Sequence, residues 1–362
     1  MTSAERVAVV GTGLIGTSIA MAALRAGDSV RGFDVDTEVL SRSAERSGLV
    51  PTATLQECVT GATLVLVCTP IPSVPQLVGE VLRLAPEAVV TDVASVKSNV
   101  KLEVQAAAAP ADLVRYVGGH PMGGSERSGP DHASASVLDG AVWVVDETAA
   151  PEAIERLAAW IAKIGARTVL LSADRHDRLV AMVSHLPQVA STALMGLAAA
   201  EEAGEPEILL LAAGGFRDLT RLAASNPHLW SDILLANRDA IVRALDLYVE
   251  RLNDLRDLVA SEDADEVERA FAESKEARLS LAAKPQVKAG VAVFQIPVPD
   301  RPGVLAEVTA TMSEAGVNIE DLQIVHSPEG GRGTVHMTVA VGAAEEAERA
   351  LRGRWFEPLR LA

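Results

Sequence analysis

This sequence predicts an α/β protein: a doubly wound parallel sheet, then an all-helical stretch, then a small α+β unit. Three observations carry that prediction. Short β-branched runs alternate with helical patterns from residue 6 to about residue 172, strand signals vanish from about Asp174 to Ala283, and a β-α-β-β-α-β order follows to the end of the chain.

The strand runs of the first part are Val7–Val10, Val30–Asp34, Leu64–Cys68, Val89–Asp92, Ala141–Val145 and Thr168–Leu171. In the second part Ile241, Leu245, Tyr248, Leu252, Leu255 and Val259 recur mostly at steps of three and four, which draws one apolar stripe along a long helix. Helices of this length in a domain poor in aromatics are expected to pack across a two-fold axis as a homodimer. Lys284 to Gly290 reads as a linker, because Pro285 and Gly290 break the helix and the composition then changes. The third part runs strand Val291–Ile296, helix Val304–Ala315, strand Val317–Ile324, a Gly330-Gly331-Arg332-Gly333 turn, strand Thr334–Val341, helix Ala344–Leu351 and a last short strand. That order is the ferredoxin-like pattern. The expected domains are 1–172, 173–284 and 290–362.

A chain of 362 residues exceeds one hydrophobic core. Aromatics make up only 3% against an apolar fraction of 49%, so the cores must be built from Ala, Leu and Val. Cys58 and Cys68 have no metal-ligand spacing, and no acidic or histidine cluster has it either, so a reducing, cytoplasmic setting without a bound metal is expected. Met1 to Arg6 lead straight into a strand with no signal-peptide pattern, and no apolar stretch is expected to span a membrane. A net charge of −17 opposes binding to nucleic acid, so an anionic small ligand needs its own local arginine.

Gly11-Thr12-Gly13-Leu14-Ile15-Gly16 follows the first strand and opens a helix. Gly11 permits a tight turn, Gly13 lets a pyrophosphate approach the backbone, and Gly16 allows close helix packing, so the sheet is of the Rossmann type. Asp34 ends the second strand, where a carboxylate binds a ribose 2′-hydroxyl and repels a 2′-phosphate; NAD is therefore expected over NADP. Thr69 and Pro70, just after the 64–68 run, are assigned to the same cofactor site.

Two histidines stand beside prolines: His120 in Gly118-Gly119-His120-Pro121-Met122-Gly123-Gly124-Ser125-Glu126, and His185 in Ser184-His185-Leu186-Pro187. Proline fixes its own φ and biases its predecessor toward extended backbone, so each imidazole is expected on a bend and outside regular helix. An unperturbed pKa near about 6.5 suits either ring to moving a proton.

With Ser95-Val96-Lys97 after the fourth strand run and Gly214-Gly215-Phe216-Arg217-Asp218-Leu219-Thr220-Arg221, these motifs resemble the prephenate/arogenate dehydrogenases of tyrosine biosynthesis over about residues 6–283. Gly123 stands where that family commonly has alanine. The resemblance implies NAD-dependent oxidative decarboxylation of a cyclohexadienol, prephenate or arogenate. It implies that His120 is the base on the 4-hydroxyl, that Ser95 contacts the same hydroxyl and orients the histidine, and that His185 contacts substrate. Arg221 matches the position that holds a carboxylate, with Arg217 and Lys97 adding positive charge. Glu126 matches a position that helps gate the pocket through an ionic contact, and Asp174 and Trp230 match helical-domain positions near it. No residue chooses between prephenate and arogenate.

Residues 291–362 resemble an ACT domain through Asp300-Arg301-Pro302-Gly303-Val304-Leu305 and Gly316-Val317-Asn318-Ile319. That resemblance implies an amino-acid effector, tyrosine being the economical choice, received by Asp300, Pro302, Gly303 and Asn318; a dimerisation module without ligand stays open. Two other readings of the whole chain stay open as well. One is a dehydrogenase of the β-hydroxyacid type, which relies on a catalytic lysine and leaves the His-Pro motifs unexplained; the other is a catalytically silent regulator responsive to NAD and amino acids.

Overall fold

A computed structural model describes residues 4–123, 128–202, 204–283, 291–299, 301–326 and 332–360. The chain divides into two compact units, Met1–Leu252 and Asn253–Ala362.

In the first unit β1 (Arg6–Val10), α1 (Leu14–Arg25), β2 (Ser29–Phe33), α2 (Thr37–Ser47), β3 (Val50–Pro51), α3 (Leu55–Val59), β4 (Leu64–Val67), α4 (Val74–Leu84), β5 (Val89–Asp92), α5 (Ser98–Ala107) and β6 (Tyr116–Val117) follow one another. Their strands form one parallel sheet of order β3-β2-β1-β4-β5-β6. The order reverses between β1 and β4, and ligands of open parallel sheets bind outside the strand C-termini at such a point. β4 is buried along its whole length and β1 at every position but its first, because helices cover both faces. One core layer packs Ile19, Leu157, Trp160 and Ile161 against the sheet, and the other packs Val78, Val81, Leu82 and Val100.

The sheet does not continue through residue 171 as the sequence suggests. β7 (Gly119–Pro121), β8 (Val142–Asp146), α6 (Pro151–Lys163) and β9 (Arg167–Leu171) build a second, three-stranded sheet of order β7-β8-β9, in which β7 runs antiparallel to β8. Gly118 alone joins β6 to β7, and a parallel neighbour needs a crossover of roughly a dozen residues, so the chain leaves the first sheet there. His120 therefore lies on a short edge strand and not on a bend. An edge strand tolerates Pro121, which has no N–H to give a ladder.

The helical part of this unit begins with α7 (Ala173–Val180), a π-helical turn at Ala181–His185 and α8 (Leu186–Glu201), which form one continuous helix. His185 is thus inside a helix, contrary to the bend expected. Pro187 cannot donate to the carbonyl four residues back, and the backbone widens by a turn that carries His185. The 173–201 helix also has a window of mean hydropathy 1.2, long and apolar enough to cross a membrane, against the sequence expectation. Its apolarity comes from the Ala- and Leu-rich α8, which packs on later helices of this unit. α9 (Glu207–Leu210), α10 (Gly214–Thr220) and α11 (Pro227–Ala236) follow, and α12 (Arg238–Ala260) begins in this unit and ends past Leu252, in the second. The stripe on α12 is buried at Ile241, while Tyr248, Leu252 and Val259 are exposed.

In the second unit α13 (Ala264–Ala283) precedes β10 (Val291–Pro299), α14 (Val304–Glu314), β11 (Ile319–His326), β12 (Arg332–Ala340), α15 (Ala344–Arg354) and β13 (Leu359–Arg360). The sheet order β11-β12-β10-β13 is antiparallel throughout and gives the ferredoxin-like arrangement expected, with Phe294, Ile296, Met312 and Met337 in its core. The linker at 284–290 and most of the glycine turn before β12 lie outside the described residues.

Candidate active site

The glycine loop is shaped by its contacts. Gly11 has φ +92°, and a Cβ there would stand 2.6 Å from the Cys68 carbonyl oxygen and 2.8 Å from Thr69. A Cβ at Gly16 would lie 2.0 Å from the Gly11 carbonyl oxygen, so only glycine lets α1 start against the loop. Gly13 differs, since a Cβ there would meet nothing within 4 Å. That open space lies at the N-cap of α1, whose first turn receives no side-chain cap, and free N–H groups at a helix start are what a phosphate binds. Leu14 and Ile15 form the first residues of that helix. Asp34 accepts hydrogen bonds from the Thr12 N–H at 2.7 Å and the Thr12 hydroxyl at 3.2 Å, which fixes a carboxylate beside the loop. Pro70 and Thr69 follow β4 at the switch point, with the Thr69 hydroxyl accepting from Ser73 at 2.9 Å. These residues fit a dinucleotide.

Beyond the C-terminal ends of the strands, a cavity of about 440 Å³ is lined by Ser95, His120, Pro121, Met122, Ser184, His185, Gln188, Arg221 and Trp230, among others. His120 Nδ1 lies 2.8 Å from His176 Nε2, and His176 Nδ1 lies 2.7 Å from Asp177 Oδ1. Asp177 also accepts the Lys97 N–H at 2.8 Å and the Ser98 N–H at 2.7 Å, thereby capping α5. Burial alone would raise the Asp177 carboxyl, but the bonds from His176, Ser98 and Lys97 outweigh it and hold the group below its usual range. A carboxylate that only accepts makes His176 Nδ1 a donor, and in a neutral His176 ring Nε2 is then an acceptor. His120 Nδ1 must then carry the proton, and His120 Nε2 keeps a lone pair. Burial pushes the His120 pKa well below 6.5, and the neighbouring basic groups His176, Lys97 and His185 push it the same way, so the ring is neutral at pH 7.

His185 has the complementary form. Asn237, between α11 and α12, turns its amide nitrogen to the Asp177 carbonyl at 2.9 Å and to His185 Nδ1 at 3.2 Å. Nδ1 of His185 is therefore an acceptor and its Nε2 carries the proton. Burial lowers its pKa to about 4, opposed by the Asp177 carboxylate and reinforced by the neighbouring His176 ring. The Trp230 ring meets His185 edge-on at 5.9 Å between centroids. Gln188 donates to the Leu222 carbonyl at 2.8 Å and accepts from the Ser225 hydroxyl at 3.3 Å, tying the segment that carries Arg221 to α8.

The cavity thus brings together Ser95, His120, His185, Arg221 and Trp230. Among the described residues Ser95 makes no hydrogen bond to His120; the ring is held by His176 instead. Asp174 does not line the cavity: it is exposed on α7 and paired with Arg178 one turn on. Lys97 is no surface cation either, being 3% exposed in an ion pair with Asp92, itself 0% exposed. Arg217 is exposed on α10 and absent from the lining. Glu126 lies outside the described residues. In the second unit Pro302 and Gly303 form the turn before α14, with Gly303 at φ +90°, and the Asn318 amide donates to Glu320 at 3.0 Å. Asp300 lies outside the described residues. His176, Asp177 and Asn237 are the functional candidates that sequence reasoning missed.

Residues 19–170 match the family model of the prephenate dehydrogenase nucleotide-binding domain, residues 172–273 that of the prephenate dehydrogenase dimerization domain, and residues 293–352 that of the ACT domain. Prephenate dehydrogenase of Bacillus subtilis (strain 168) is 30% identical over 344 residues, covering 92% of this chain and 92% of its own. Cyclohexadienyl dehydrogenase of Zymomonas mobilis is 35% identical over 288 residues, 78% of this chain and 97% of its own. Among solved structures, Synechocystis arogenate dehydrogenase superposes with a TM-score of 0.65 at 28% identity, over 76% of this chain and 99% of that one. Prephenate dehydrogenase from Aquifex aeolicus, solved with hydroxyphenyl propionate and NAD+, shares the fold at a TM-score of 0.72 and 24% identity, over 77% of this chain and 99% of that one. With its nucleotide-binding and helical segments matched in order and relatives aligned along nearly their whole length, this chain belongs to the prephenate dehydrogenase family.

Proposed function

We propose that the protein oxidatively decarboxylates prephenate to 4-hydroxyphenylpyruvate, or arogenate to tyrosine, with NAD. The observation that carries this reading is the pairing of two neutral histidines of opposite polarity in one cavity with an arginine. His120 Nε2 offers a lone pair to the ring hydroxyl, and His185 Nε2–H offers a donor. Arg221 supplies the guanidinium for a side-chain carboxylate, since its planar fork grips both oxygens. Ser95 lines the same cavity and would share the hydroxyl. NAD, which the glycine loop and Asp34 would hold, would supply the hydride acceptor. As the carbinol carbon gives up its hydride and the hydroxyl proton passes to His120, the C–CO2 bond breaks and the ring becomes aromatic. A neutral His120 is the form this needs.

NADH formation from NAD with each substrate tests the reading directly; turnover of neither overturns it. Arg221→Ala is expected to raise KM by about 10- to 100-fold, the loss of one charged hydrogen-bonded contact, with kcat changed less. A kcat defect at unchanged KM would remove Arg221 from carboxylate binding. Asp34→Ala is expected to narrow the preference for NAD over NADP in kcat/KM, because the carboxylate beside Thr12 no longer repels a 2′-phosphate. An unchanged ratio counts against that placement.

Two further parts belong to the proposal. The exposed apolar residues of α12, in the segment matching the dimerization model, fit a homodimer interface. The ACT unit would take tyrosine at the Pro302-Gly303 turn and Asn318, giving feedback if the ligand binds two states of the enzyme unequally. Calorimetry with the full chain decides the effector, and absence of tyrosine binding removes it.

A further inference from the structure

We propose that His176 and Asp177 are positioning residues for the reaction: they set the tautomer of His120 and give the abstracted proton a second site, on His176, beside a fixed carboxylate. The inference rests on the functional reading above and extends it to residues that do not line the cavity. Two short contacts in series carry it, His120 Nδ1 to His176 Nε2 at 2.8 Å and His176 Nδ1 to Asp177 Oδ1 at 2.7 Å. The rings meet edge-on with centroids 5.0 Å apart, so the pair is a directed contact and not a stack.

The order of donors along this chain has one origin. Asp177 is anchored by the N–H groups of Lys97 and Ser98 at the start of α5, and both bonds require it to accept. Every later assignment follows from that end: His176 donates from Nδ1 and accepts at Nε2, His120 donates from Nδ1, and the basic nitrogen of His120 is Nε2. When Nε2 takes the hydroxyl proton, the Nδ1 proton can move to His176 Nε2. The histidine pair has then gained one proton, His120 is neutral again with its proton on Nε2, and His176 is an imidazolium next to Asp177. This places the charge against an anion. On His120 it would face Lys97 with its partner Asp92 from the β5 side, His185 from the π turn, and Arg221 across the cavity. The carboxylate itself is not protonated in this sequence.

His176→Gln keeps an oxygen acceptor for His120 Nδ1–H but cannot bind a proton, and His176→Phe removes both. Steady-state kinetics over a pH range, with NAD and whichever substrate turns over, read the second role. His176→Gln is expected to lower kcat by about 10²-fold with KM little changed, and to move the acidic limb of kcat/KM to lower pH, since the pair has lost its more favourable protonation site. His176→Phe is expected to lose more. Wild-type kcat in His176→Gln, or a loss with the acidic limb unmoved, overturns the proton-sharing role. Long-range 1H–15N spectra of the histidine-labelled full chain read the first role without substrate. Neutral Nδ1–H forms are expected at both His120 and His176, with His120 losing that uniform state in His176→Phe. An Nε2–H form at His120 in the wild type overturns the inference outright. A wild-type enzyme inert toward prephenate and arogenate fails the functional reading, and these same spectra still decide the hydrogen-bond order asserted here.

Discussion

His120→Asn will lower kcat by about 10²- to 10⁴-fold while leaving KM close to that of the wild type, the range that loss of a positioned general base produces. Asparagine keeps a polar side chain on β7 but offers no basic nitrogen at the end that Nε2 occupies. In the proposed reaction substrate grip is assigned elsewhere, to Arg221 and the N–H of His185, so binding should survive. The contrast with Arg221→Ala matters more than either number: one substitution should act on kcat and the other on KM. Steady-state measurement of both variants with the same substrate checks this, and a His120→Asn enzyme that binds poorly yet turns over at full rate would exclude the histidine as base. The expected acid sensitivity has a definite sign. His185 titrates at about 4 and His120 well below its ordinary 6.5, both held down by burial, so activity should persist to lower pH than an exposed histidine permits.

Lys97→Ala is expected to destabilise the first unit by about 3–5 kcal/mol, the cost of leaving a buried charge without its partner. Asp92 is enclosed by the Lys97 ammonium, the Tyr116 hydroxyl at 2.7 Å and the Ala94 N–H at 2.9 Å. Removing the cation leaves a carboxylate with two neutral donors in a site closed to water. Tyr116 is already raised well above its ordinary pKa by burial and by Asp92, and it cannot replace the lost charge. Urea unfolding followed by the fluorescence of the buried Trp143 and Trp160 measures the effect. A loss below about 1 kcal/mol would mean that Asp92 takes up a proton or admits water.

The glycine loop, the strands β1, β2, β4 and β5, and the ACT unit were legible because each is written in local spacing: a turn needing φ > 0, a buried β-branched run, a strand-helix order. What was not legible depended on which residues meet across the fold. Gly118 to Pro121 reads as a turn, yet pairing with β8 makes it a strand. Ala173 to Val180 reads only as the start of the all-helical stretch. Its buried positions are Ala173, His176, Asp177 and Val180, the helical phase normally filled by apolar residues. A histidine and an aspartate in that phase were the available signal. Asp174, chosen by resemblance, sits one residue past the start of that phase and points to solvent, where it meets Arg178. Lys97 likewise reads as a helix-end cation, and only the closure of β5, β6 and α5 around Asp92 makes it internal.

The π turn at Ala181–His185 makes the length of one helix a working dimension of the enzyme. Before it the helix presents His176 to His120, with Asp177 behind His176; after it the helix presents Gln188 to the segment carrying Arg221. Each residue of an α-helix advances the direction of its side chains by about 100°, so deleting a single residue within the turn would swing one set away while the other stayed in place. Alignment between the histidine pair and the segment carrying Arg221 is therefore stored in a residue count. Side-chain substitutions in this turn should be easier to accommodate than any change in its length.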